Sequence, residues 1–334
     1  MTGPSAASAA GLGRFEEQRE AFRVEPEQAG LRADLFLSLQ AAFLSRTLVK
    51  RKIMHGEALV NGHRLSTSTR LREGDLIEIR YRPGDDASPA WQPDILFEDA
   101  HLLAVNKPAG VPVHPAGRKQ AGTVIQAVRD RLRGETARSL LRGDPGFYPC
   151  LVNRLDLFSS GVVLIAKHRQ ALLAMHRLIA QGEVEKRYLA IVLGRLEPGS
   201  GRFTDPIGRD AASRIELKRA VRSDGLPAVT EFEALELLNG YTLAAARPLT
   251  GRQHQLRVHF AAHGHPVWGD LLYVDESLFL RYLANGCRLD GSMPPRQGLH
   301  AERVRFHHPL NGMEVEVTAP PPEDFIRILA GLRR

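Results

Sequence analysis

Apolar and polar positions follow two periods along this chain, and their succession predicts short helices alternating with strands. The sharpest transition is at residues 153–167, where a polar turn carrying Arg154 and Asp156 passes through Ser159, Ser160 and Gly161 into the unbroken apolar run Val162 to Ala166, which reads as a buried strand. Nearer the start, Leu31, Leu35 and Leu39 at four-residue steps predict a helix. Ser45 is a plausible N-cap for a second, short helix holding Arg46, Lys50, Arg51 and Lys52. Asn61-Gly62 signals a hairpin, and the turn at Leu71–Asp75 leads into an alternating strand, Leu76 to Ile79. Residues 95–110 predict two short strands around an acidic turn, stopped by Lys107-Pro108-Ala109-Gly110. Beyond the central strand, Leu172, Met175 and Ile179 mark a helix ended by Gly182. The strand Lys186–Gly194 then places Tyr188, Ala190 and Val192 on one face and Leu189, Ile191 and Leu193 on the other. A last helix after Thr250-Gly251 would turn Leu256 and Phe260 to the core and stop at Gly264, leaving Arg257 to point elsewhere.

Length and composition divide these elements. At 334 residues and 43% hydrophobic content the chain suits two domains. Residues 1–20, rich in Ala, Gly, Ser and Glu, have no usable period and read as a mobile tail. Residues 21–82 form one module, the proline-punctuated stretch 83–93 is a linker, and 94–334 is one larger domain. Within that domain, 275–297 is polar and proline-bearing and reads as a disordered insertion rather than a contact for a partner.

Charge narrows the partner. The formal charge of +7 favours an anionic one, and the 21–82 module, with eleven Lys or Arg against seven Asp or Glu, carries more than half of that excess. Only two cysteines occur, Cys150 and Cys287, without a CxxC pair, so no disulfide framework is indicated and a reducing cytoplasm fits. No apolar run reaches membrane-spanning length, and the first residues lack the pattern of a signal peptide, so a soluble intracellular protein is expected.

Several side chains could carry chemistry. Asp156 sits on a loop at the mouth of a sheet, where an aspartate serves equally as a turn residue. Tyr188 can close a core or stack on a base. Lys107 can meet a phosphate, or cover a strand with its stem. Of the four histidines His254, His259, His263 and His265, only His259 and His263 have helical metal-pair spacing, with no HExxH glutamate between them, so no metal is expected.

Asn153-Arg154-Leu155-Asp156-Leu157-Phe158-Ser159-Ser160-Gly161 resembles the His-Arg-Leu-Asp-x-x-Thr-Ser-Gly motif of the RluA/RluD family of RNA pseudouridine synthases. Residues 250–273 resemble that family's Thr-Gly-Arg-x-His-Gln-Leu-Arg-Val-His block ending in Gly-His-Pro-x-x-Gly-Asp. The likeness extends to 106–110, 186–188, 228–232 and 299–301, covering nearly all of 94–325. It departs at Asn153 (His in the family) and Ser159 (Thr), and at Val274, where the family often has Gly. The 21–82 module resembles the S-four-type RNA-binding domain, through Arg32, Asp34, Ser45, Arg46, Gly56, Val60, Asn61, Gly62, Gly74 and Asp75.

The resemblance implies an α+β fold, a mixed, largely antiparallel sheet flanked by helices and preceded by a small α/β RNA-binding domain. It implies an isomerase acting on uridine in RNA, ribosomal large-subunit RNA first and transfer RNA second, as a monomer without cofactor, metal or membrane. Asp156 would act on the uridine, Arg257 would pair with it and keep it ionised, and Tyr188 would lie against the uracil. Arg154 and Lys107 would contact substrate, and Arg46, Lys50, Arg51 and Lys52 would track phosphates with little sequence discrimination. Of the other classes, a silent RNA-binding or ribosome-assembly protein is disfavoured by the joint presence of Asp156, Tyr188 and Arg257, and a zinc hydrolase by the histidine spacing.

Overall fold

The computed structural model describes residues 18–41, 46–81, 91–114, 122–132, 134–135, 147–197 and 199–334. The chain divides into two compact units, 1–90 and 91–334. Residues 1–17 of the expected tail, most of the expected linker, Ser45 and the side chain of Arg46 lie outside the described residues.

In the first unit, β1 (Gln18–Arg23), β2 (Ala58–Val60), β3 (His63–Arg64) and β4 (Leu76–Tyr81) form an antiparallel sheet in the order β1-β4-β2-β3, beside α1 (Ala33–Gln40) and α2 (Arg46–Met54). Residues 18–20 therefore belong to a strand and not to a tail, because β4 offers them a complete run of backbone partners, Gln18 opposite Tyr81 through Arg23 opposite Leu76. The hairpin turns at Asn61 and Gly62, whose φ values of 49° and 79° suit a type I′ turn. The core stripe of α1 is Ala33, Phe36 and Leu37, with the partly buried Leu31 packed against it; the side chain of Leu39 lies outside the described residues. Leu31 precedes the helix, and the i, i+3, i+4 set starting at Ala33 gives the wider apolar face.

On α2, Lys50 and Arg51 are exposed. Lys52 departs from its expected phosphate role: it is buried, and its Nζ donates to Glu57 Oε2 at 2.8 Å. Its place on the inner face beside Ile53 takes the ammonium away from any nucleic acid, and the carboxylate neutralises it there.

The second unit is organised by one large sheet. Its first strands are β5 (Asp94–Glu98), β6 (Leu102–Lys107), β7 (Phe147–Leu151), β8 (Ser160–His168), β9 (Glu185–Leu193) and β10 (Ser200–Phe203). A separate two-stranded ribbon follows, β11 (Ile207–Arg209) with β12 (Arg219–Val221). The large sheet is completed by β13 (Thr230–Leu238), β14 (Tyr241–Pro248), β15 (Leu299–His307) and β16 (Glu314–Thr318), in the order β10-β13-β14-β9-β15-β8-β6-β5, with β16 on β15 and β7 on β8. The helices are α3 (Val124–Arg131), α4 (Arg169–Gln181), α5 (Gln255–Ala262), α6 (Glu276–Ala284) and α7 (Glu323–Leu332). The expected α+β class and antiparallel-dominated sheet are observed. No helix among the described residues is long and apolar enough to cross a membrane.

The two periods seen in the sequence become two layers. In β8, Val162, Leu164 and Ala166 pack with Ala171 and Met175 of α4, while Val163 and Ile165 pack with Val124, Ile125 and Val128 of α3. Both faces are covered, which is why the run is continuously apolar. In β9, Ala190 and Val192 meet Leu256 and Phe260 of α5, and Leu189 and Ile191 meet Phe325 and Leu329 of α7.

Residues 275–297 overturn the expectation of a disordered insertion. Asp275 caps α6 by accepting from Ser277 N, and Tyr282 and Met293 are buried with Leu271. Leu278, Phe279 and Tyr282 recur at helical spacing, a signal that the surrounding Asn, Gly and Pro residues obscure. The Tyr282 ring meets Phe158 edge-on, with centroids 5.6 Å apart.

One pairing among the described strands is parallel, where Ser160 and Gly161 of β8 face His300 and Ala301 of β15. Gly161 has a φ of 113°, and a Cβ there would collide with the backbone of Ala301. Gly161→Ala is expected to cost about 3 kcal/mol or more, read from urea denaturation midpoints; a variant as stable as the parent would show that the two backbones can move apart.

Candidate active site

The loop 152–159 between β7 and β8 is held from both sides. Val152 N donates to Leu164 O at 2.8 Å, and Asn153 Oδ1 accepts from Leu164 N at 2.7 Å while its Nδ2 donates to Val162 O at 3.4 Å. Asn153 thus fastens the loop to the strand that follows it, using an amide's paired donor and acceptor.

Lys107 is fully buried, so the expected substrate contact is corrected. Its Nζ donates to the carbonyls of Pro108 (2.9 Å), Val111 (2.9 Å) and Leu157 (3.2 Å). Three carbonyl dipoles solvate the ammonium in place of water, and the lysine ties the 108–111 turn to the loop.

The loop brings Asp156 to Arg257. Arg257 Nη1 donates to Asp156 Oδ2 at 2.7 Å, while Nε and Nη2 donate to Asp270 Oδ2 and Oδ1 at 2.5 and 2.8 Å. Asp270 is fully buried and also accepts from Leu272 N and Tyr273 N. The Arg257 guanidinium lies 4.8 Å from the centre of the Tyr273 ring. With its amide turned to satisfy its neighbours, Gln297 donates to Ser159 Oγ at 3.1 Å and accepts from Arg257 Nε and Nη2 at 3.2 Å. Next to it Arg296 is buried, donating to Ser160 Oγ and pairing with Asp324.

Asp156 Oδ1 is left at 3.9 Å from His254 Nε2. His254 Nδ1 is 2.9 Å from the Tyr273 hydroxyl, and the residue holds a left-handed backbone (φ 58°) ahead of α5. Burial alone would raise the Asp156 pKa, but the charge and hydrogen bond of Arg257 outweigh it and hold the carboxyl below its ordinary value. Burial together with the nearby Arg257 charge holds His254 down to about 4. Burial, and then the Asp156 charge, raise the Tyr188 phenol above its ordinary value. At neutral pH the site therefore holds an ionised carboxylate, a neutral imidazole and a neutral phenol.

These groups line a cavity of about 460 Å³ that includes Arg154, Asp156, Lys186, Tyr188, His254 and Arg257. The structure brings together four residues expected from sequence, Asp156, Arg257, Tyr188 and the exposed Arg154. Lys50 and Arg51 belong to the first unit. Asp270, Gln297, Tyr273, His254 and Lys186 join the site without having been expected there. Asp270 falls near the end of the 250–273 block but carries no role of its own in the sequence reading, and Gln297 has no signal of its own. His259 bonds Thr230 Oγ1 and Asp205 O, and His263 bonds Asp205 Oδ2. Among the described residues no group of three or more His, Cys, Asp or Glu is placed to hold a metal.

A sequence model of the family described as RNA pseudouridylate synthase matches residues 101–262. The chain is 34% identical over 317 residues to ribosomal large subunit pseudouridine synthase D of Xanthomonas campestris, covering 93% of this chain and 91% of the relative. It is 32% identical over 323 residues to ribosomal large subunit pseudouridine synthase C of Haemophilus ducreyi, covering 93% and 95%. Among solved structures, human RNA pseudouridylate synthase domain containing 1 superposes with a TM-score of 0.52 at 29% identity, over 69% of this chain and 84% of that one.

The His254 pKa gives a direct check. Its ring resonances in an NMR titration should show no transition between about pH 5 and 8; one near 6.5 would contradict the buried neutral state. Since the folded value lies below the unfolded one, the unfolded chain takes up this proton first. The stability from neutral His254 is therefore complete above about pH 6.5 and is lost as pH falls toward about 4.

Proposed function

This chain belongs to the RNA pseudouridylate synthase family of the RluA/RluD type, and on that premise we propose that Asp156 acts directly on the target uridine. The chain is an isomerase converting uridine in RNA to pseudouridine. The N-glycosidic bond to the ribose is broken, the base rotates, and the ribose carbon is rejoined to a ring carbon. Atoms and electrons balance within the nucleoside, so the reaction calls for no redox partner or phosphoryl donor.

The observation that carries the assignment is the 2.7 Å contact of Asp156 with Arg257 at the wall of a cavity of about 460 Å³. Arg257 keeps the carboxylate charged and fixes one oxygen, leaving the other for the substrate. Tyr188 is assigned to lie against the uracil, and Arg154, exposed at the same cavity, to contact the RNA around it. A base stacked in a duplex cannot enter such a cavity, so the uridine is extruded first.

Large-subunit ribosomal RNA is the proposed substrate, in keeping with the names of the relatives, and a cytoplasmic monomer the proposed working form. The first unit is assigned as an S-four-type RNA-binding domain, with Lys50 and Arg51 of α2 among its phosphate contacts.

Asp156→Asn is expected to bring conversion below detection while RNA affinity is largely kept; retained conversion would defeat the assignment. Mapping pseudouridines in total RNA with and without the gene identifies the substrate, and a missing site in transfer RNA alone would move the target there. Lys50→Ala with Arg51→Ala should flatten the dependence of log affinity on log salt by roughly 0.7 to 0.9 for each phosphate that the protein no longer neutralises. An unchanged slope would remove α2 from the RNA interface.

A further inference from the structure

The cavity is lined by five Lys or Arg side chains but by a single carboxylate, that of Asp156. Arg257 is committed to Asp156 and Asp270. Arg303 has Glu316 at 3.6 Å, and Arg252 donates to Pro227 O. Arg154 is exposed, where water stabilises its charge. Lys186 alone is both desolvated and uncompensated: it is half-buried, and among the described residues it has no hydrogen-bond or ion-pair partner. Burial holds its pKa below the ordinary value.

The adjacent Arg187, on the opposite face of β9, is paired with Glu302. The sequence could have compensated Lys186 in the same way and does not. Leaving a cation partly out of water without a counter-charge opposes folding, so the charge has its counterpart in something that arrives. Lys186 and Tyr188 stand two residues apart on one strand face, about 7 Å from each other, and both line the cavity that holds Asp156.

We propose that Lys186 binds a backbone phosphate of the RNA beside the uridine that stands against Tyr188, so that this cation is neutralised only when substrate is seated. The proposal rests on the function assigned above. It gives β9 two contacts with one nucleotide segment, the ring of Tyr188 with the base and the ammonium of Lys186 with a phosphodiester oxygen.

The test uses the full chain and an unmodified transcript of large-subunit ribosomal RNA, comparing the parent with Lys186→Met and Lys186→Arg. Methionine keeps the apolar stem and removes the charge. For Lys186→Met, KM should rise about tenfold, as for the removal of one charge-assisted hydrogen bond, with kcat within about twofold. The salt slope of binding should fall by roughly 0.7 to 0.9, and the melting temperature should be unchanged or higher because an uncompensated charge is gone. Lys186→Arg should retain the parental slope. The parental KM and slope in Lys186→Met, or a loss confined to melting temperature, would overturn the proposal. Binding is read separately from conversion. A parent that binds the transcript and converts nothing would count against the assigned function, while the slope still decides on Lys186.

Discussion

A guanidinium taken out of water must be surrounded by acceptors, and the way Arg257 meets that demand shapes the second unit. Three of its nitrogens face two carboxylates, Asp270 with two bonds and Asp156 with one. The two acids differ in what else holds them. Asp270 is closed off by the backbone amides of Leu272 and Tyr273 and fully buried, a permanent counter-ion, whereas Asp156 spends one oxygen on the arginine and keeps the other in the cavity. One cation thus orients the cavity carboxylate without being neutralised by it, since Asp270 holds the guanidinium in place through both of its oxygens.

Much of this architecture is legible in residue patterns. The apolar run Val162–Ala166 announces a strand covered on both faces, and Leu256 with Phe260 announces the helix face that turns Arg257 away from the core. Where pattern and structure part, two signals compete. In α1 three leucines at four-residue steps outweigh the wider stripe of Ala33, Phe36 and Leu37, because alanine adds little to a hydrophobic pattern. In 275–297 the helix-breaking residues mask Leu278, Phe279 and Tyr282, whose burial depends on Leu271 just before them and on Phe158, far away in the chain.

Charged residues are the least readable, for a physical reason. Lys52 and Lys107 look in sequence like Lys50, yet Glu57 neutralises one and three carbonyls solvate the other. The difference lies in partners that tertiary structure supplies, and no local pattern records it. Asp270 and Gln297 escape for the same reason: their meaning is their distance to Arg257, and a lone acid or amide carries no period.

The parallel contact between β8 and β15 has a geometric corollary. Antiparallel neighbours place the start of one strand beside the end of the other, so their leading segments lie at opposite edges of a sheet. Two strands running the same way begin at the same edge, and whatever introduces each must arrive there side by side. The segment leading into β8 carries Asp156 and Ser159, and the one leading into β15 carries Arg296 and Gln297. Parts of the chain some 140 positions apart thereby share one rim without any loop reaching across the sheet. A reversal of either strand would keep the core and scatter the rim.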